Sequence, residues 1–217
     1  MDGALAFDGS RRAAACKQFA DFARLNRMYA PHCTVKVVVI RGAGIAMALT
    51  DSEIDRIQGG FVTANVVLTV ERLFPHDRKT LFAAFTDPAE MSQWRGAVGT
   101  HVEPDTVTSE LKVGGRHHHV KVKDDDPSDR NTTDAIFTEF HEPDVFVARQ
   151  RITGAPGIDP NTILELRVEF LATGRGGTLV RIIQGPFDPS TVSDFSDGWD
   201  SELGKLNAYL AAKEVRQ

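Results

Sequence analysis

Hydrophobic residues follow two different spacings along this chain, and the changes between them predict the order of strands and helices. The segment 162–172 shows the strand spacing, because Leu164, Leu166 and Val168 alternate with charged residues and give one dry face. By the same reasoning we predict strands at 62–72, 97–104, 107–113, 116–123, 131–141, 144–153, 162–172 and 178–185.

Helical spacing appears in two short segments after the first strand and again near the C-terminus. Leu81, Phe82 and Phe85 recur at helical intervals and predict a helix over 77–86, which Asp87 and Pro88 end. Proline suits the first turn of a helix, so a second short helix is predicted at 88–93. Near the C-terminus an apolar stripe at intervals of three and four predicts a longer helix: Phe195, Trp199, Leu203, Leu206 and Leu210.

Turn-forming sequences between the strands predict how these elements are arranged. Gly114-Gly115, Asp124 to Pro127 and Gly176-Gly177 link consecutive strands as hairpins, so the sheet is antiparallel. The dry face of that sheet needs a cover, and the C-terminal helix supplies it. We therefore predict an α+β fold in which a curved antiparallel sheet wraps around a long C-terminal helix, with a side-chain-lined cavity between them.

Four segments of the chain resemble one known family. They are Glu71 to Trp94, Gly114-Gly115-Arg116, Gly176-Gly177-Thr178-Leu179, and Gly198-Trp199 followed by Leu203, Leu206, Tyr209 and Leu210. Their order and spacing over about residues 62 to 213 are similar to the SRPBCC (START-like) superfamily, in its branch named after the activator of heat-shock-protein-90 ATPase. The resemblance implies a helix-grip fold and a ligand cavity.

Residues 1–46 differ from the rest of the chain. They are net basic, with seven Lys and Arg against three Asp, and they contain both cysteines, whereas the remainder is acidic. We expect the helix-grip domain to span 47–217, beginning at Met47, with residues 1–46 as an extension outside the native domain. The alternative is an ordered extension, with a helix from about Arg11 to Tyr29 and a strand from Val35 to Ile40.

Composition restricts the classes of partner. The chain has 217 residues and a net charge of -5, so it lacks the general positive charge that attracts nucleic acid or an anionic membrane. Two cysteines, no apolar run long enough to span a bilayer and no secretory leader indicate a cytoplasmic protein. The partner expected is a small hydrophobic molecule, with no nucleic acid, no membrane and no cofactor. A homodimer is compatible with the sequence as an alternative to a monomer.

The run His117-His118-His119 raises the question of a metal site, since residues two apart on a strand share one face. No third ligand is placed by the sequence, so we predict no metal. Which face of the strand lines the cavity stays open. Val120 and Val122 put His118 on the apolar side, whereas the resemblance puts positions 117 and 119 there, and a bulge would reconcile the two.

The tryptophans and one polar strand complete the set of candidate residues. Trp94 is interpreted as an aromatic wall at the cavity entrance rather than a core residue, and Trp199 as structural. A solvated convex face is the favoured interpretation of Arg149, Gln150 and Arg151, and the alternative is that one of the three faces inward. The predicted ligand-binding residues are Trp94, His101, Glu103, His118, Val120, Phe137, Arg149, Phe195 and Trp199.

Three functions are compatible with these patterns. The first is binding of a small apolar or aromatic ligand in the cavity. The second is an enzyme similar to cyclases or hydrolases acting on a hydrophobic substrate, with His101, Glu103 and His118 as candidate acids or bases. The third is a chaperone-associated partner protein, which the branch name implies. Residues 1–61 argue against this function, because they are too short to replace the separate N-terminal domain of the eukaryotic co-chaperone. The sequence contains no recognisable nucleophile motif.

Overall fold

The computed structural model describes residues 33–41, 45–48, 65–174 and 176–215. Its helices are α1 (Arg78–Thr86), α2 (Pro88–Trp94) and α3 (Val192–Glu214), with a single 3-10 turn at Pro104–Thr106. Its strands are β1 (Cys33–Arg41), β2 (Ile45–Ala48), β3 (Asn65–Phe74), β4 (Thr100–Val102), β5 (Thr108–Ser109), β6 (Arg116–Lys123), β7 (Arg130–His141), β8 (Val145–Thr153), β9 (Leu164–Ala172) and β10 (Thr178–Phe187). The helix predicted for Arg11 to Tyr29 lies outside the described residues.

All of the described strand pairs are antiparallel. The strands lie in the order β2-β1-β3-β10-β9-β8-β7-β6-β4, and β5 pairs with β6 beside this path. The sheet curls around α3, with α1 and α2 following β3. The predicted α+β helix-grip fold is therefore confirmed.

The strand predicted at 107–113 is much shorter in the structure. Only Thr108 and Ser109 pair with β6, after which the chain turns back on itself. The amide of Lys112 donates to the Glu110 carbonyl, and the amide of Gly115 donates to the Lys112 carbonyl. These local hydrogen bonds replace the interstrand bonds that a longer strand would need.

The strand proposed in the alternative interpretation of the N-terminal extension is present as β1. It pairs with β3 from Cys33 opposite Arg72 to Ile40 opposite Asn65. β2 then crosses the domain boundary proposed at Met47. The boundary itself stays a prediction, and a chain that begins at Met47 would test it.

Side-chain caps fix the two short helices after β3. The Asp77 carboxylate accepts a hydrogen bond from the Thr80 amide at 2.9 Å, and Asp87 accepts from the Ala89 amide at 2.8 Å. Such caps satisfy amides that the first turn of a helix leaves without partners. They therefore stabilise the start of each helix, and α1 buries Phe82 and Phe85 in the core.

Four phenylalanine rings fill one part of the space under the sheet. Phe82 and Phe85 of α1 meet Phe146 of β8 and Phe170 of β9, with ring centroids 5.3 to 6.5 Å apart. Most of these pairs are edge-to-face or tilted, which are favoured arrangements for aromatic rings. We call these four residues the aromatic cluster.

The C-terminal helix α3 closes the core. Trp199, Leu203, Leu206 and Leu210 are buried against the sheet, as the predicted stripe requires. Glu90 of α2 accepts a hydrogen bond from the Tyr209 hydroxyl at 2.8 Å and so ties α2 to α3. Among the described residues, no helix combines the length and apolar character needed to cross a membrane.

Candidate functional site

A cavity of about 230 Å³ lies between the N-terminal half of α3 and the concave face of the sheet. Its apolar walls are Ile152, Pro156, Phe195 and the Trp199 indole. Gly198 also lines it, and a β-carbon at that residue would meet no atom within 4 Å. At one end of the cavity the loop after β8 approaches the start of α3, and the lining residues Pro156 and Asp194 are exposed there.

A second cavity of about 30 Å³ lies deeper in the core, next to the aromatic cluster. Arg95, Gln150 and Trp199 line both cavities, so these three residues form the partition between them. The inner space is large enough for about one or two water molecules. The outer cavity is thus the larger of the two, and the inner one is a mostly apolar recess behind it, with Phe137 and Phe146 in its lining.

Three charged residues meet at the partition, and we call them the charged cluster: Arg95, Lys121 and Glu202. Arg95 Nη1 lies 2.7 Å from Glu202 Oε2, and the Lys121 ammonium donates to Glu202 Oε1. Their side chains are 10%, 19% and 6% exposed. Arg95 follows α2, Lys121 lies on β6 and Glu202 on α3, so the fold brings together three separate parts of the chain.

Both tryptophans hold Arg95 in position. The guanidinium carbon lies 4.2 Å from the centre of the Trp199 ring and 5.6 Å from that of Trp94, which are cation-π distances. Each indole is itself fixed, because Trp199 Nε1 donates to Gln184 Oε1 at 2.7 Å and Trp94 Nε1 donates to the Ala84 carbonyl at 2.8 Å. Contacts within the protein therefore fix the orientation of the guanidinium.

Burial and mutual attraction change the acidity of the charged cluster. Burial lowers the pKa of Arg95 and of Lys121, and the charge of Glu202 opposes both shifts. Burial alone would raise the pKa of Glu202, but Arg95 and Lys121 outweigh it and lower the pKa below its usual value. Glu202 is therefore ionised at neutral pH.

Two histidines of β6 point into the same region. His117 Nε2 and His119 Nδ1 are 3.0 Å apart, while His117 Nδ1 and His119 Nε2 are buried without a hydrogen-bond partner among the described residues. Burial first and Arg95 second lower the pKa of His117 to about 4, and the same two causes lower the pKa of His119 well below its usual value. Both imidazoles are neutral at neutral pH.

The structure answers the question of which face of β6 lines the cavity. His117, His119 and Lys121 face inward, while His118 and Val120 face outward. The pairing of β6 with β7 is continuous from Arg116 opposite Ile136 to Val122 opposite Arg130, so the strand has no bulge. The resemblance gave the correct face, and the apolar positions gave the wrong one.

Several predicted ligand-binding residues lie away from both cavities. His118 pairs with Asp134 at 2.8 Å, and His101 pairs with Asp124 at 2.6 Å, both on the outer surface. Glu103 forms an ion pair with Arg130, Val120 lies on the outward face, and Arg149 is exposed. The inward residue of the polar trio is Gln150, which is 4% exposed.

Each aromatic candidate lines at least one of the two cavities, and the interpretation of Trp94 needs a correction. Phe195 and Trp199 line the outer cavity, and Phe137 lines the inner one. Trp94 is 1% exposed and lines only the inner cavity, so it is a core residue and not a wall at the entrance. Its indole hydrogen bond and its packing on Phe85 at 4.9 Å explain this position.

Sequence reasoning missed the charged cluster, although one signal was present. Glu202 lies three residues after Trp199 and one before Leu203, inside the apolar stripe of α3. A carboxylate in an apolar stripe requires a buried cationic partner. The partners themselves could not be identified, because Arg95 and Lys121 lie 107 and 81 residues earlier in the sequence.

The structure answers only in part whether the histidines of β6 hold a metal ion. Within the described residues, no group of three or more His, Cys, Asp and Glu side chains is arranged to hold a metal ion. His117 and His119 instead face Arg95 and Lys121, whose positive charges repel a cation. The absence of a metal stays a prediction for the protein in solution.

The curled antiparallel sheet, the long C-terminal helix and the cavity between them define a protein of the helix-grip class. Residues 75–211 match the family described as activator of Hsp90 ATPase homolog 1-like protein. The match covers more than half of the sequence, and the chain therefore belongs to this family, as its motifs predicted.

Solved structures with the same fold come from several bacteria. A protein from Arthrobacter aurescens has a TM-score of 0.58 and 19% identity, over 67% of this chain and 86% of that one. The AHSA1 protein from Silicibacter pomeroyi has a TM-score of 0.57 and 23% identity, over 68% of this chain and 99% of that one. CalU16 from Micromonospora echinospora has a TM-score of 0.53 and 13% identity, over 85% of this chain and 90% of that one. At these identities the likeness concerns the fold alone, and among curated proteins no sequence matches this chain.

Proposed function

We propose that this protein binds a small apolar or aromatic molecule in the outer cavity. The observation that carries the proposal is the cavity of about 230 Å³, with Phe195 and Trp199 as aromatic walls. Pockets for drug-sized ligands occupy about 300 to 1,000 Å³, so the ligand is smaller, on the scale of one or two fused rings.

The pattern of lining groups supports a binding role. Ligand sites combine apolar walls with a few polar groups that fix the orientation of the ligand. In this cavity Ile152 and Pro156 continue the apolar wall, and Gln150 and the charged cluster form the polar floor. The indole of Trp199 is fixed by its hydrogen bond to Gln184, so the protein's own contacts hold this wall in place.

The test is a titration with a neutral fluorescent probe of two fused rings, 1-naphthylamine. We expect its emission to rise on binding, and Phe195→Ala to weaken its affinity about fivefold, because the variant removes an aromatic wall. Leu171→Ala is the matched control, since Leu171 is an apolar side chain of the outer surface, 38% exposed. Equal binding by Phe195→Ala and the unmodified chain would place the probe elsewhere and contradict the proposal.

Family membership supports one alternative, a role as an Hsp90 ATPase activator. The supporting observation is the match of residues 75–211 to a family named for that activity, and a shared fold does not by itself establish a shared function. ATP hydrolysis by purified Hsp90 with and without this protein would test it. The enzyme alternative has less support, because His101, Glu103 and His118 line neither cavity.

A further inference from the structure

The floor of the outer cavity holds more positive than negative charge. Arg95 and Lys121 carry two positive charges there, and Glu202 supplies one negative charge. The other carboxylate of the lining, Asp194, is exposed at the rim, where solvent screens it. The buried part of the site therefore has an excess of one positive charge.

The groups already present cannot balance this excess. One oxygen of Glu202 faces Lys121 and the other faces Arg95, so a single negative charge is shared between two cations. Arg95 Nη1 lacks an aligned hydrogen-bond acceptor among the described residues. Lys205, whose ammonium donates to the Thr100 carbonyl at 2.9 Å, adds further positive potential. A buried cation without a full partner is unfavourable, so an anion in the cavity would stabilise the site.

We propose that the ligand carries one anionic group, a carboxylate or a group of similar size, which binds to Arg95 and Lys121 at the cavity floor. The inference rests on the proposed function, because it assigns a chemical class to the ligand of the same cavity. The apolar body of the ligand then lies against Phe195 and Trp199, towards the rim.

The geometry suits a carboxylate in two respects. A guanidinium presents paired donors that match the two oxygens of a carboxylate, and Arg95 is already held at 4.2 Å on the Trp199 ring. In addition, the side-chain amide of Gln150 is buried at the partition and makes no hydrogen bond to any described residue. It can therefore donate to the same anion without first breaking an existing contact.

A matched pair of probes tests the charge alone: 2-naphthoate, which is anionic at neutral pH, and 2-naphthamide, which has almost the same shape and no charge. Isothermal titration of the full chain at low salt should show naphthoate binding about tenfold more tightly, equivalent to about 1.4 kcal/mol. If both probes bind equally, or the amide binds more tightly, the inference fails while the proposed function stands. If neither binds, both fail.

Variants of β6 identify which positive charge is responsible for the tighter binding of naphthoate. Lys121→Met should weaken naphthoate binding about tenfold and change naphthamide binding little, because Arg95 and Glu202 then balance each other. Lys121→Arg should restore most of the naphthoate affinity. Lys123→Met is the control, since Lys123 is exposed on the same strand and pairs with Asp125. An unchanged naphthoate affinity in Lys121→Met would overturn the assignment of Lys121 as an anion-binding residue. Independently of this variant, the ratio of naphthoate affinity to naphthamide affinity in the unmodified chain decides whether the site prefers an anion.

Discussion

The space between the sheet and α3 is filled in one region and open in another, and the two regions use different chemistry. The filled region is the aromatic cluster, where Phe82 and Phe170 are 2% and 1% exposed and no polar side chain is needed. The open region is the outer cavity, whose floor is the charged cluster. One curved sheet thus supports a core that is closed by rings and a site that is held open beside buried charges.

The difference indicates which region tolerates change. Rings that interdigitate lose contacts when any one of them is shortened, and the void that remains has no atoms to fill it. Charged side chains beside a cavity can exchange contacts with water or with a ligand. We therefore expect substitutions in the aromatic cluster to affect stability, and substitutions around the cavity to affect binding first.

The largest effect is expected in the aromatic cluster. Phe170→Ala removes a ring whose centroid lies 5.3 Å from Phe82 and 5.4 Å from Phe85, and should cost about 3 to 5 kcal/mol in the free energy of unfolding. Leu171→Ala, on the outer face of the same strand, should cost about 1 kcal/mol or less. Denaturant unfolding of both variants measures the contrast, and similar costs would show that the cluster is not the stable region.

Acid should lower the free energy of unfolding by a similar amount, through the buried histidines behind the outer cavity. The pKa of His117 is about 4 in the folded chain against 6.5 ordinarily, so between these values the unfolded chain binds more protons. The free energy of unfolding must then fall as the pH falls from 6.5 to 4, by about 3 kcal/mol from this residue alone. His119 shifts in the same direction and adds to the loss.

Two histidine variants separate this effect from general acid unfolding. His117→Phe should retain more of its neutral-pH stability at pH values between 4 and 6.5 than the unmodified chain does. His118→Gln changes the neighbouring imidazole, which lies on the outer face beside Asp134, and should leave the acid response in place. Identical pH profiles for both variants would remove His117 as the cause.

A smaller effect is expected from the charged cluster. Glu202→Gln leaves Arg95 and Lys121 buried without an anion and should cost about 2 to 3 kcal/mol in the free energy of unfolding. Adding Lys121→Met to this variant should recover part of the loss, because it removes one of the two repelling charges. A double variant that is no more stable than Glu202→Gln alone would contradict this account.

The smallest effect is expected on the outer face of the sheet. Arg167 donates to Glu169 at 2.8 Å and to Glu139 at 2.7 Å, but its side chain is 33% exposed. Because exposed ion pairs are screened by water and salt, Arg167→Met should change the free energy of unfolding by about 1 kcal/mol or less. A loss as large as that of Glu202→Gln would show that exposure does not distinguish these two sets of charges.

The fold could be predicted because its signals are local. Alternation along β9 and the Asp87-Pro88 break between α1 and α2 each depend on a few neighbouring residues, and the structure has both. Which residues of β6 face inward could not be predicted in this way. Val122 is 3% exposed on the face opposite His119, since β4 and the turn before β5 lie along this part of the strand. Apolar residues therefore occupy both faces, and alternation no longer indicates which face is inside.

The candidate site was predicted less well, because it depends on contacts between distant parts of the chain. Phe195 and Trp199 were found through the stripe of one helix. Arg95 has no periodic signal, since it lies at the end of α2 and becomes buried only when α3 packs beside it. Such a residue is recognised only when the strand register and the helix position are both known.

Gly198 has a consequence for how this cavity could change over time. Glycine inside a helix lowers helix stability by about 1 kcal/mol relative to alanine, yet here it leaves room that any other side chain would occupy. Replacement by alanine, valine or leucine would shorten the space available to a ligand step by step, while alanine would also strengthen the helix. At this one position, then, a single substitution to alanine would make the cavity smaller and the helix more stable. A change in the size of the ligand would therefore not require a change of fold.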